Sequence, residues 1–141
     1  MIKSFSHEQV AKAEAWKIAP TDSNYFVMLF DPANAPTDNI YVVEIFTKDG
    51  ATPPNSHSNA HEFFYVIEGE GYASSDGDRL PIAKGDALLL NPGSLHVVEN
   101  TGKGKLYTLT VMTPNQDFSE LIRSGERVEL DDEDLRVLTE A

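Results

Sequence analysis

Between Tyr25 and Met112 the chain breaks into short apolar runs, "YFVMLF", "NIYVVEIF", "EFFYVIEG", "GYASS", "ALLL", "HVVE" and "KLYTLTVM". Turn signals punctuate them: Asp49-Gly50, Gly69, Asp76-Gly77, Lys84-Gly85, Pro92-Gly93 and Gly102. β-branched and aromatic residues in runs of this length read as strands. Turn signals recurring about every 8 to 12 residues are the mark of sandwiches and barrels, where each strand crosses once and must reverse. Asp76-Gly77 in "SSDGDRL" predicts a tight hairpin, because a type I′ turn needs positive φ at both central residues. The pattern predicts an all-β body over about residues 24–113, within a single domain spanning 1–141.

The flanks have a different texture. "SHEQVAKAEAW" has Ser6 three positions before Gln9, a capping-box spacing, and Val10, Ala13 and Trp16 fit a narrow apolar face, so a short helix or a mixed arm is expected. After Pro114, Phe118, Leu121 and Ile122 share one helical face and Gly125 is placed to stop it, predicting a short helix that caps the barrel. In "LDDEDLRVLTEA", Asp131 is the expected N-cap, with further acids in the first turn to complement the helix dipole. The glycine-centred spacing of a calcium loop is missing. Helical segments are thus expected over about 115–141.

A chain of 141 residues can bury roughly two thirds of its unfolded surface in one core. Its formal charge of -12 repels phosphate backbones and anionic lipid, so neither nucleic acid nor membrane is an expected partner. No apolar run approaches the roughly 18 to 20 residues of a membrane span, and the N-terminus lacks the apolar centre of a signal peptide. With no cysteine there are no disulfides and no thiolate ligands. A cytoplasmic location is expected, and any metal must be held by nitrogen and oxygen.

The chemistry concentrates in "TPPNSHSNAHEFFYVIEGEGYA", residues 52–73, and "GDALLLNPGSLHVVEN", residues 85–100. Glu62 opens a strand, so it shares a face with Phe64 and Val66, while Phe63, Tyr65 and Ile67 face the other way. A carboxylate on that apolar face is costly unless paired or metal-bound. Arg79, Arg123, Arg127 and Arg136, its possible cationic partners, all lie outside the strands concerned. His57 precedes Glu62 by five residues, and His96 follows the "NPGSL" turn at the start of another strand. Two imidazoles and a carboxylate from different strands can converge as a facial triad with open coordination positions. His61 points away from that face and is expected at the surface or the mouth; His7 belongs to the solvated N-terminal arm.

These two stretches resemble the paired motifs of the cupin superfamily, G-x5-H-x-H-x3 or x4-E-x6-G and G-x5-P-x-G-x2-H-x3-N. The second motif is met by Gly85, Gly93, His96 and Asn100, with Asn91 where the family has proline. In the first, Glu62 and Gly69 match and the x4 form places the second histidine on His57. The first histidine position holds Asn55, and Gly50 is one residue closer than the motif asks. The x3 alignment restores Gly50 but puts Ser56 and Ser58 on both histidine positions, losing a ligand.

The resemblance, over roughly residues 38–113, implies a double-stranded β-helix with a jelly-roll barrel and a divalent metal in its mouth. His57, Glu62 and His96 are the implied ligands, with iron first and manganese, nickel, zinc or copper as alternatives. Asn55 either contacts the metal or sits behind it, holding a water or orienting His57. Phe64 is expected to line the pocket. Small relatives of this kind often form homodimers by pairing or exchanging N-terminal strands, and "NYFVMLF", apolar on both faces, suits such an interface or the monomer interior equally.

Two functions compete. A metal on two histidines and one carboxylate keeps positions for a small chelating substrate, which fits a dioxygenase-like enzyme or a Lewis-acid isomerase or lyase acting on a small organic molecule. The alternative is a non-catalytic barrel that binds or senses a small ligand, with or without structural metal.

Overall fold

A computed structural model describes residues 4–140. The strands are β1 (Ala15–Lys17), β2 (Asn24–Phe30), β3 (Ile40–Phe46), β4 (His61–Glu68), β5 (Glu70–Ser75), β6 (Asp78–Ala83), β7 (Ala87–Leu90), β8 (His96–Asn100), β9 (Leu106–Thr113) and β10 (Glu126–Val128). Two helices complete the chain, α1 (Phe118–Arg123) and α2 (Asp132–Thr139). A large antiparallel sheet runs β10-β1-β2-β3-β9-β4-β7, and a small one runs β6-β5-β8. Phe46, Phe64, Val66 and Leu106 of the large sheet pack with Ala73, Ile82 and Val98 of the small one, closing the double-stranded β-helix expected from the sequence. None of the helices among the described residues is long and apolar enough to cross a membrane.

The hairpin joining β5 to β6 turns on Asp76 and Gly77, both at positive φ (49° and 89°), with Ser75 opposite Asp78. This is the backbone that the Asp-Gly pair predicts. Alternation along β4 is equally faithful: Glu62, Phe64 and Val66 are buried, and Tyr65 is exposed on the other face.

The N-terminal arm takes the mixed form of the two expected, and the sheet runs further than the sequence reading allows. The N-terminal segment forms one 3-10 turn, Val10–Lys12, whose N-cap Gln9 makes no side-chain cap. The capping box of Ser6 and Gln9 therefore does not form, and the apolar positions split. Val10 and Ala13 pack on the outer face of the large sheet, whereas Trp16, on β1, packs toward its inner face. Strands β1 and β10 lie outside residues 24–113; β1 pairs with β2 and β10 with β1, extending the large sheet. Both faces of β2 are covered from within the chain. Phe26 and Met28 pack beneath α1 with Ile122 and Phe118, while Tyr25 and Val27 are covered by Val10, Leu130, Val137 and Leu138. The two-sided apolar strand is interior to the monomer and needs no second copy to cover it.

At the C-terminus α1 caps the barrel as expected, with Ile122 fully buried. Arg123 anchors it through Nε and Nη2 to Asp31, at 3.0 and 2.8 Å. Helix α2 starts on Asp131, whose side chain accepts from the Asp134 backbone N–H while Asp134 accepts from the Asp131 N–H, a full capping box.

Candidate metal centre and cavity

Local chemistry places each member of the predicted triad. Glu62 enters on the inner face of β4. His96 opens β8, and its backbone exchanges both hydrogen bonds with Asn55, at 2.8 and 3.1 Å. His57 lies in the loop between Asn55 and β4, with its carbonyl accepting from Gly93 N–H at 2.8 Å. The second motif thus pins the first, and three side chains distant in sequence meet. One potential ligand atom from each of His57, Glu62 and His96 lies within 4.8 Å of the others.

His96 Nε2 is 2.8 Å from Glu62 Oε1, and His57 Nε2 is 3.6 Å from the same oxygen. His96 Nδ1 faces the Ser94 carbonyl at 3.2 Å. A proton on Nδ1 is held by that carbonyl, which directs Nε2 inward as the ligand atom. Burial pushes the Glu62 carboxyl up, but hydrogen bonds and charge from His57 and His96 outweigh it and hold it below the usual range. Burial pushes the His96 imidazole down, but its bond to Glu62, the carboxylate charge and the Ser94 carbonyl raise it overall. Among the described residues only Oε1 of Glu62 is engaged by protein donors. Among the described residues no buried side-chain polar atom lacks a partner, so Oε2 is open to the cavity. Two nitrogens and a carboxylate oxygen suit a divalent transition metal. Three of the four arginines take other partners, Arg79 binding Glu99, Arg123 binding Asp31 and Glu14, and Arg127 approaching Glu14, and Arg136 lies on α2.

The triad forms one wall of a cavity of about 310 Å³. Ile18, Phe26, Phe64, Phe118 and Leu121 give it an apolar lining, and Phe118 lies 5.9 Å from His57 between ring centroids. Phe64 lines the cavity as expected. Asn55 also lines it, but its Nδ2 donates to the Pro53 carbonyl at 2.7 Å, so the amide group is tied to its own turn. His61 is outside the triad, and His7 is exposed.

Sequence reasoning missed Glu44. This residue of β3 is buried (2% exposed) and lines the same cavity. Asn24 Nδ2 donates to its Oε2 at 2.7 Å, and Thr110 Oγ1 lies 3.3 Å from its Oε1. Burial first, and the Glu62 charge second, push its carboxyl up to about 8. The signal was the one used for Glu62: a lone acid at inward parity with Ile40, Val42 and Phe46. Two carboxyls of one cavity are thus driven apart, one toward the ionised form and the other toward the neutral form.

Comparison with known proteins agrees with this architecture. The family model described as a cupin domain matches residues 42–112, half of the chain. An oxalate-binding protein from Thermotoga maritima is 35% identical over 66 residues, 43% of this chain and 54% of that protein. The chain spans about half the length of the curated relatives it matches. A crystal structure of a predicted oxalate decarboxylase from Thermotoga maritima is similar with TM-score 0.66 and 20% identity, covering 74% of this chain and 95% of that one. A polyketide cyclase from Streptomyces resistomycificus has TM-score 0.66 and 16% identity, covering 82% and 93%. At these identities the solved structures speak for the fold alone. With half its length matched by the family's own model and both sheets of the barrel in place, the chain belongs to the cupin family.

Proposed function

We propose that the protein is a metal-dependent cupin enzyme acting on a small organic molecule in the cavity, either dioxygenase-like or as a Lewis-acid isomerase or lyase. The observation that carries this reading is the convergence of His57, Glu62 and His96 on a mostly apolar cavity large enough for a small ligand. The three residues would hold a divalent ion, iron ahead of manganese, nickel, zinc or copper, and leave positions for ligand. When bound, such an ion polarises a coordinated oxygen or supports oxygen chemistry.

The chain's own residues do the rest. Ser94 fixes the His96 ring, the apolar lining excludes water, and Phe64 and Phe118 bracket the ligand. Asn55, tied to Pro53 beside the triad, leaves its position open rather than adding a fourth strong ligand. We place this activity in one domain, in a cytoplasmic homodimer. The zero cysteine count fits a reducing compartment, and the dimer is checked by sedimentation.

A second reading, a non-catalytic binding protein, is favoured by the oxalate-binding name of the Thermotoga maritima relative. Metal analysis of the purified protein, followed by oxygen uptake with small organic acids and catechols, separates the two. Stoichiometric metal with substrate-dependent turnover is the expected result; metal-free protein of unchanged fold would overturn the enzyme reading.

A further inference from the structure

Glu44 is held differently from Glu62, the other buried acid of the cavity. Among the described residues no Lys, Arg or His comes within salt-bridge distance of it. A buried ionised carboxylate without a cation is costly. Its hydrogen bonds do not offset that cost. Asn24 Nδ2 donates to Oε2 at 2.7 Å, but the donor to Oε1 is a hydroxyl, Thr110 Oγ1, at a long 3.3 Å. Thr108 Oγ1 donates to the Glu44 backbone carbonyl at 3.2 Å and lies 3.0 Å from Thr110 Oγ1, so these hydroxyls bring no charge to the carboxyl. With no cation and two neutral donors, the neutral carboxyl is the form this buried site favours.

The chain of hydroxyls closes on Glu44's own carbonyl and offers no relay to bulk water. Asn24 fixes Oε2, leaving the acid proton on Oε1. Thr110 donates to that same oxygen at 3.3 Å, well beyond the usual 2.7–2.8 Å of an O–H···O contact, so among the described residues the acid proton meets no acceptor and is free for one that enters the cavity. We propose that Glu44 is the specificity-determining residue of the cavity, a neutral acid that donates a hydrogen bond to an uncharged oxygen acceptor of the ligand.

The ligand class follows from the lining. Among the described residues no lysine or arginine lines the cavity, so only the triad region matches a ligand anion. The titratable groups facing Glu44 across this space are Glu62, His57 and His96, with Asp22 also in the lining and accepting from Ala19 N–H at 3.0 Å. About 310 Å³ is roughly twice the 150 Å³ of a cavity that holds benzene. The fitting ligand is a single-ring-sized apolar molecule with a carbonyl or ether oxygen, and a fully anionic ligand the size of oxalate leaves the apolar walls unused. This inference rests on the cavity being the ligand site, the same premise as the proposed function, but not on the metal.

Acetophenone and ethylbenzene, alike in shape and differing by one oxygen, test it by calorimetric or NMR titration of the metal-free protein. The preference for acetophenone over ethylbenzene should fall about tenfold in Glu44→Leu, which has no donor. Glu44→Gln should keep it, because the amide reproduces one acceptor and one donor. At pH 7 the infrared spectrum of wild type should show a protonated-carboxyl C=O band that Glu44→Gln lacks. Equal preference in Glu44→Leu, loss of preference in Glu44→Gln, absence of the band, or failure of wild type to bind either compound would each overturn the proposal. If Glu44→Leu does not fold, Glu44→Gln and the band still decide. Loss of metal stoichiometry alone would defeat the enzyme reading and leave this one standing.

Discussion

Glu62 and Asp134 are buried carboxylates on opposite faces of the large sheet, and the two are held in opposite ways. On the inner face Glu62 has two imidazoles on one oxygen and keeps the other open to the cavity. On the outer face Asp134 of α2, fully buried, accepts from Tyr25 OH at 2.6 Å, Tyr107 OH at 2.7 Å and Lys105 Nζ at 3.0 Å. Burial and the bond to Asp134 push both phenols up and away from ionisation. Burial pulls Lys105 down, but its bonds to Asp131, Tyr25 and Asp134 raise it overall. Every partner of Asp134 is therefore a fixed donor that no ligand displaces. Glu62's partners are histidines, which exchange a proton for a metal. A saturated buried charge fastens one element to another, and an unsaturated one waits for something from solution.

The comparison is broken most severely at Asp134. Asp134→Ala should cost about 3–5 kcal/mol of stability, since it strands Lys105 and two phenols under α2. Urea denaturation measures the loss, and the fraction that remains folded should bind metal as wild type does. Loss of metal from folded protein would mean that the two faces are coupled. His96→Ala should do the reverse: metal affinity falls at least a hundredfold, equivalent to about 2.7 kcal/mol, while the denaturation midpoint moves little. Competition with a chromophoric chelator reads the affinity.

Glu44→Gln sharpens the contrast through pH. The Glu44 carboxyl is raised to about 8 in the folded state from an ordinary value of 4.5, so between these limits the folded chain holds a proton that the unfolded chain has released. Stability from this group is full below about pH 4.5 and declines as pH rises to about 8, by about 1.4 kcal/mol per unit. Relative to wild type, Glu44→Gln should therefore gain about 2.5 kcal/mol between pH 5.5 and 7.5 in urea titrations. A constant difference across that range would show that Glu44 is ionised in both states.

Much of this architecture was legible because strand parity and turn chemistry are local. The Asp76-Gly77 hairpin, the inward face of β4 and the Asp131 cap each follow from neighbours a few residues apart. Three-residue strands were not legible: "AWK" and "ERV" have no period to read, and they form only where β2 offers an edge for β1 and β1 offers one for β10. The triad was found through paired motifs that encode a long-range contact, the Asn55 and His96 bridge. Asp134 was hidden because an acid at the third helical position explains itself as part of a cap. Its second partnership comes from Tyr25 and Tyr107, on strands far away in sequence.

Asn55 decides how open the metal side of this comparison is. Residues 55 and 96 exchange both backbone hydrogen bonds, as an antiparallel hydrogen-bonded pair does, which sets their Cα atoms about 5.5 Å apart with side chains on one face. An imidazole at position 55 thus starts from the same face as His96, a residue whose Nε2 already reaches Glu62. Asn55 spends its Nδ2 on the Pro53 carbonyl instead. Asn55→His should give up that turn bond, costing about 1 kcal/mol of stability, and add a fourth nitrogen donor, tightening metal binding about tenfold, or about 1.4 kcal/mol. Chelator competition and urea denaturation on the same preparation read both numbers. Because the added donor occupies a position otherwise left for ligand, small chelating molecules should bind the metal-loaded variant more weakly than wild type. Unchanged metal affinity would show that the turn at Pro53 and Pro54 aims position 55 away from the ion, and that the open position is set by backbone geometry rather than by the choice of asparagine.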